Sequence, residues 1–162
     1  MKSAGTLHLT APGERDIVMT RVFDAPRQLV FDAHTKPELV KRWLLGPPGW
    51  SMPVCEIDLR VGGKYRYVWR HDRERTEMGM GGVYREIVAP ERLVNTERFD
   101  ESWYPGEAVD TLVLVEQGGR TTLTLTVLYE SREAREAVLK SGMESGVAAS
   151  YDRLADLLAS QS

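Results

Sequence analysis

The residue types that most often carry out chemistry are few in this chain, and they are spaced singly. The only cysteine is Cys55, and the histidines are His8, His34 and His71. No two histidines lie four residues apart, no Cys-x-x-Cys is present, and no Gly-x-Ser-x-Gly marks a nucleophile. The sequence therefore predicts no catalytic set, no metal site and no cofactor, and Cys55 is expected to be a buried, inert thiol.

Three other features could serve chemistry, but each has a simpler structural explanation. His34 could be a general base or a polar anchor at the mouth of a cavity, whereas a half-exposed histidine on a short helix explains it more simply. Glu56 and Asp58 alternate along a predicted strand and are expected to meet solvent rather than to form a catalytic pair. Residues 79–82 are glycine-rich like a phosphate loop, but they lack its lysine and its helix. A bulged or sharply bent strand is the better interpretation.

Composition excludes several classes of function. Lysine and arginine number 21 and aspartate and glutamate 24, which gives a formal net charge of −3. A nucleic-acid partner is not expected, because phosphate binding requires a basic face. No apolar run approaches the roughly 20 residues of a membrane span, and no signal-peptide pattern follows Met1. We expect a cytoplasmic protein with one domain over residues 1–162, its core at about 16–159.

Hydrophobic periodicity predicts the order of the elements. A strand at residues 16–23 is followed by two short helices, with Asp24 and Thr35 as predicted N-caps and a proline in each first turn. Further strands are predicted at residues 53–59, 64–70, 77–88, 92–99, 110–116 and 121–129.

The C-terminal region is predicted to be helical, with Ser131 as its N-cap. Its apolar stripe changes phase at Ser141-Gly142, so a break is expected there, followed by a long helix from about Met143 to Ala159. Only this helix is long enough to cover the dry face of the sheet. The predicted fold class is therefore α+β, with a curved antiparallel sheet of about six or seven strands wrapped around the C-terminal helix.

Several short segments, in this order and spacing, carry a family resemblance over about residues 17–158. They are Arg21-Val22-Phe23-Asp24-Ala25-Pro26, Phe31-Asp32-Ala33, Pro37-Glu38 with Arg42-Trp43, Asp58-Leu59-Arg60-Val61-Gly62-Gly63, and the tail from Ser141 to Leu154. The chain resembles the homologues of the heat-shock-protein-90 ATPase activator, within the START-like superfamily that includes the birch-pollen allergen. The resemblance implies the helix-grip fold, with a cavity between the sheet and the long helix.

Two departures from that family lie in the small helices that would close the cavity. His34 and Leu44-Leu45 stand where members often carry tryptophan, so the ligand preference of relatives is not transferred to this chain. The activator activity belongs to larger relatives with an additional chaperone-binding domain. The resemblance therefore implies a fold more than a function.

Aromatic residues on one face of a predicted strand, opposite the long helix, indicate a ligand cavity, although a packed core is the alternative. Tyrosine and tryptophan have polar tips that suit a partly wet pocket, and methionine gives an adaptable surface. The predicted ligand-binding residues are His34, Trp43, Tyr65, Tyr67, Trp69, Met80, Met143 and Val147.

Three functions remain open from the sequence. The first is binding of an unidentified small apolar molecule, and the second is a START-like enzyme of the cyclase or lyase type. That enzyme would need an inward titratable group, for which His34, Asp58 and Glu97 are candidates. The third is a chaperone-interaction module. Exposed edge strands and the loop aromatics Trp50 and Trp103 make a homodimer a further expectation.

Overall fold

A computed structural model describes residues 6–101, 104 and 106–161 of the chain. Its strands are β1 (His8–Thr10), β2 (Asp16–Phe23), β3 (Trp50–Ile57), β4 (Lys64–His71), β5 (Glu77–Val88), β6 (Arg92–Phe99), β7 (Ala108–Gln117) and β8 (Arg120–Leu128). Its helices are α1 (Arg27–Thr35), α2 (Pro37–Trp43), α3 (Arg132–Lys140) and α4 (Met143–Gln161). None of the helices described is both long enough and apolar enough to cross a membrane.

The strands form one curved sheet of eight antiparallel strands in the order β1-β2-β8-β7-β6-β5-β4-β3. Strand β2 pairs with β8 along its whole length, from Asp16 opposite Leu128 to Phe23 opposite Thr121. The predicted α+β architecture with a long C-terminal helix is confirmed. The additional strand, β1, spans only three residues, which is too short for a periodic pattern to reveal, and it places both short helices after the second strand.

The two predicted N-caps of the short helices are wrong. Pro26, not Asp24, is the N-cap of α1, and it provides no side-chain cap. Thr35 is the last residue of α1, and its buried hydroxyl donates to the carbonyl of Phe31 at 2.9 Å. Lys36 is the single residue between the helices, so α2 begins directly at Pro37. Burial of Thr35 explains the error, because it turns the hydroxyl back onto its own helix.

The C-terminal region follows the sequence prediction. The Ser131 hydroxyl accepts a hydrogen bond from the backbone N–H of Ala134 at 3.1 Å and so caps α3. Helix α3 ends at Lys140, Gly142 adopts a left-handed conformation with φ of 78°, and α4 begins at Met143. Glycine suits this position because other residues reach positive φ only at a cost.

The core lies between the sheet and α4. Tyr151, Leu154, Leu157 and Leu158 of α4 pack in one cluster with inward side chains of the sheet, among them Leu123. A second cluster lies under α3 and includes Ile17, Tyr129 and Val138. The sheet and the helices thus form two layers, which bury one face of the sheet and leave its other face to solvent.

The glycine-rich part of β5 pairs without the bulge that was one of the two predicted explanations, and it contains a close approach of the backbone. The irregularity between β5 and β6 lies between Tyr84 and Glu86, outside residues 79–82. At Gly82, an added Cβ atom would overlap the carbonyl oxygen of Thr96. The glycine is needed there because β6 backbone occupies the space of a side chain.

Candidate functional site

A cavity of about 580 Å³ lies between the sheet and the helices. Described residues from all four helices and from every strand except β1 contribute to its walls, which are mostly aromatic and aliphatic. All of the residues predicted to bind a ligand lie on these walls, namely His34, Trp43, Tyr65, Tyr67, Trp69, Met80, Met143 and Val147. That they bind a ligand stays a prediction.

Strand β4 supplies the aromatic wall because its side chains alternate. Tyr65, Tyr67 and Trp69 point inward, whereas Lys64 and Arg66 point toward the other face. The ring centroids of Tyr65 and Tyr67 are 5.0 Å apart, and those of Tyr67 and Trp69 are 5.9 Å apart. These contacts fix the rings against one another and give the cavity a rigid, largely apolar wall.

Two tryptophans join this wall to the small helices by their indole N–H groups. Trp43 Nε1 donates to the carbonyl of Ala33 at 2.8 Å, and Trp69 Nε1 donates to the carbonyl of Leu44 at 2.7 Å. Both polar tips are therefore used by the backbone, and the rings offer the cavity their apolar surfaces. The polar tips that we expected to suit a partly wet pocket do not face a ligand at these two positions.

His34 lies on the cavity wall as a neutral side chain. Its Nδ1 atom donates to the carbonyl of Val30 at 2.8 Å, and its ring meets the edge of Trp43 at a centroid distance of 4.9 Å. Burial lowers the pKa of His34 to about 4, an effect that the hydrogen bond to Val30 opposes in part. At neutral pH the imidazole is therefore uncharged, and its Nε2 atom is a hydrogen-bond acceptor.

Two carboxyl groups form the polar centre of the cavity wall. Asp110 on β7 lies directly opposite Asn95 on β6, and Glu97 is two residues further along β6 on the same face. The Glu97 carboxyl group hydrogen-bonds to that of Asp110, and Asn95 Nδ2 donates to Asp110 Oδ2 at 3.5 Å. The hydroxyl of Tyr104 donates to Glu97 Oε2 at 3.3 Å.

The environment of Asp110 favours its protonated form. Burial raises the pKa of Asp110 well above its usual range, and the neighbouring Glu97 carboxyl raises it further. Burial likewise raises the pKa of the nearby Tyr65, Tyr104 and Tyr129 hydroxyls, so all three are neutral. Two carboxyl groups in contact cannot both ionise without strong repulsion, which is why the Glu97 carboxyl adds to the effect of burial on Asp110.

The other sequence candidates lie away from this centre. Glu56 and Asp58 are exposed, as expected. Cys55 is partly buried, and burial raises the pKa of its thiol to about 11, so it is protonated at neutral pH. Trp50 begins β3 instead of lying in a loop and contributes to the cavity wall. Trp103 lies outside the described residues.

Sequence reasoning missed Asp110 and Asn95 and considered Glu97 only as a candidate inward group. A signal was present in β6, where Leu93, Asn95, Glu97 and Phe99 share the inward face and place two polar residues between two apolar ones. No such signal marks β7, because apolar residues lie on both of its faces. Among the residues described, no group of three or more histidine, cysteine, aspartate or glutamate side chains could hold a metal ion.

Comparisons with known proteins identify relatives of the whole chain. A family model described as Activator of Hsp90 ATPase homolog 1-like protein matches residues 24–159. A crystal structure of a protein from Rhodobacter sphaeroides is 31% identical and has a TM-score of 0.89, with 96% of this chain and 99% of that chain covered.

Two further solved structures have the same fold. A protein from Chromobacterium violaceum is 29% identical with a TM-score of 0.79, and the match covers 89% of this chain and 96% of that chain. A protein from Staphylococcus epidermidis is 26% identical with a TM-score of 0.80, and 94% of each chain is covered. A search among curated proteins finds no match.

Proposed function

The chain belongs to the family of Activator of Hsp90 ATPase homolog 1-like proteins, and from this premise we propose that it binds a small, largely apolar molecule. The binding site is the cavity between the sheet and α4. The fold of this family supports a ligand-binding domain in general. The observation that carries the proposal is the cavity itself. Its volume of about 580 Å³ falls within the range of small-molecule pockets.

The size of the cavity argues against a core that is merely imperfectly packed. Protein interiors are close-packed and leave few voids larger than a water molecule. The cavity of about 580 Å³ is far larger than such voids. Its aromatic wall is held by ring contacts and by the Trp43 and Trp69 hydrogen bonds, so the space is bounded by side chains that already have partners. A ligand with an apolar body would restore the packing contacts that the void lacks.

A matched pair of substitutions tests this proposal. Val147→Trp places a large ring in the cavity from α4, whereas Val115→Trp makes the same change on the exposed outer face of β7, where Val115 is 51% exposed. We expect naphthylmethanol to raise the melting temperature of the wild type and of Val115→Trp, and to lose this effect on Val147→Trp. Equal binding to all three proteins, or binding to none, would contradict the proposal.

Acid–base chemistry on a ligand is a second candidate function, favoured by the Glu97–Asp110 pair and neutral His34 on the cavity walls. Groups of this kind move protons when they lie within hydrogen-bond reach of a substrate. The test is to recover a ligand from the purified protein by native mass spectrometry and return it to the wild type and to Glu97→Gln. A change in its mass or ultraviolet spectrum with the wild type alone would support catalysis, and no change with either would reject it.

A further inference from the structure

We infer that the cavity selects apolar molecules that carry a cationic hydrogen-bond donor, of which a protonated amine is the simplest example, and that it disfavours carboxylates. The inference rests on the proposed function and adds the chemical class of the ligand. Three observations on the cavity wall carry it.

The first observation is an acceptor atom without a partner. Asp110 is only 9% exposed and belongs to the cavity wall, and its Oδ1 atom has no hydrogen-bond partner among the described residues. Buried polar atoms are nearly always hydrogen-bonded, and the rare exceptions need an explanation. The atom is itself buried, so a donor on a ligand beside Asp110 would provide the missing partner once the carboxyl group turned this oxygen toward the cavity.

The second observation is a pair of carboxyl groups without a cation beside them among the described residues of the cavity wall. The Glu97 and Asp110 carboxyl groups lie side by side in the cavity wall, and burial and the Glu97 carboxyl raise the pKa of Asp110. Among the described residues that line the cavity there is no lysine or arginine, and His34 is neutral. A charge in a low-dielectric site is stabilised mainly by a nearby opposite charge, which a cationic ligand would supply.

The third observation is that two of the hydroxyl donors beside the pair already have acceptors. Tyr65 donates its hydroxyl hydrogen to the carbonyl of Thr96 at 2.5 Å, and the hydroxyl of Tyr104 donates to Glu97. The Asn95 amide lies within hydrogen-bond distance of the Tyr65 hydroxyl, at 3.1 Å, and of Asp110. A ligand carboxylate would therefore meet a like charge and no unused cation, whereas an amine would meet acceptors.

Three probes with the same apolar body separate these possibilities: naphthylmethylamine, naphthylmethanol and naphthoic acid. Calorimetric titration into the wild-type protein at neutral pH measures each affinity. We expect the amine to bind at least tenfold more tightly than the alcohol, and the acid at least tenfold more weakly than the alcohol. In the double variant Glu97→Gln/Asp110→Asn the amine and the alcohol should bind equally, whereas Glu56→Gln, which changes an exposed carboxylate, should retain the wild-type preference.

The outcomes distinguish the inference from the proposed function. If all three probes bind the wild type equally, or if the acid binds best, the inference is overturned while the binding function stands. If none binds, both are overturned. If the amine preference persists in the folded double variant, the carboxyl pair is not its source, and the inference also fails.

Discussion

Replacing Asp110 by asparagine should stabilise the protein at neutral pH, and the gain should grow with pH. The carboxyl group is buried, and its pKa is raised well above the usual range by burial and by Glu97. The native state therefore holds a proton that the unfolded state releases above about pH 4. Because the native state binds more protons, unfolding becomes more favourable as pH rises until the native pKa is reached.

The size of this effect follows from the proton count. One proton bound in the native state and absent in the unfolded state lowers the free energy of unfolding by about 1.4 kcal/mol for each pH unit. For a chain of this length that corresponds to roughly 3 to 5 °C in melting temperature per pH unit. The asparagine amide would hold no titrating proton, so Asp110→Asn should match the wild type near pH 4 and exceed it increasingly toward neutral pH.

Titratable groups on several elements face Asp110 and must be considered in this comparison. They are Glu97 on β6, Tyr65 and Tyr67 on β4, Tyr104 in the loop before β7, Tyr129 after β8 and Tyr151 on α4. Burial raises the pKa of each tyrosine, so the hydroxyls stay neutral across the range.

Urea denaturation between about pH 4 and about pH 7 measures the difference directly. Asp58→Asn is the matched control, because it makes the same change at an exposed carboxylate beside Arg60. The control should show no growing gain over the wild type. Parallel stability curves for Asp110→Asn and the wild type would refute the reasoning, because they would mean that the native pair holds no extra proton.

Two further pairs of substitutions test local features of the fold by urea denaturation. Gly82→Ala should lower the free energy of unfolding by several kcal/mol, because its Cβ atom would overlap the carbonyl oxygen of Thr96. The added Cβ atom of Gly146→Ala on α4 meets only an ordinary contact at 3.4 Å. This variant should be neutral or gain up to about 1 kcal/mol. Equal effects would show that β6 backbone can shift away from Gly82. Ser131→Ala should lower the free energy of unfolding by about 1 kcal/mol, because α3 loses its cap. Ser131→Asp should retain the stability, because aspartate also caps helices. An alanine variant as stable as the wild type would contradict the capping role.

The sequence predicts those parts of the fold in which the local residue pattern is compatible with only one arrangement. On β4 the tyrosines and Trp69 alternate with Lys64 and Arg66, so the inward face is unambiguous, and that face forms the cavity wall. The break at Gly142 is equally local, because a phase change in an apolar stripe and a glycine coincide there. Prediction failed at Thr35, which is buried at the end of α1 and donates its hydroxyl hydrogen to the carbonyl of Phe31 instead of capping α2.

Strand β7 shows why the polar centre of the site could not be predicted in the same way. Leu112 and Leu114 point inward, but Val113 and Val115 lie on the opposite face, so apolar residues occur on both faces. A shift of one residue in the pairing would turn Asp110 outward, and only the register with β6 settles its direction. That register depends on contacts between strands and leaves no trace in the sequence of β7 alone.

At Asp110 the residue that would be best for stability differs from the residue that would be best for binding a cationic ligand. A neutral residue of the same shape would satisfy the fold and would avoid the loss of stability with pH argued above. The carboxyl-bearing residue nonetheless belongs to the wall of a large cavity, beside a second carboxyl group. Proteins commonly accept a local loss of stability where a binding site requires it. The same substitution should therefore raise stability and weaken recognition of a cationic ligand, and a variant that did the first without the second would locate the cavity's selectivity elsewhere.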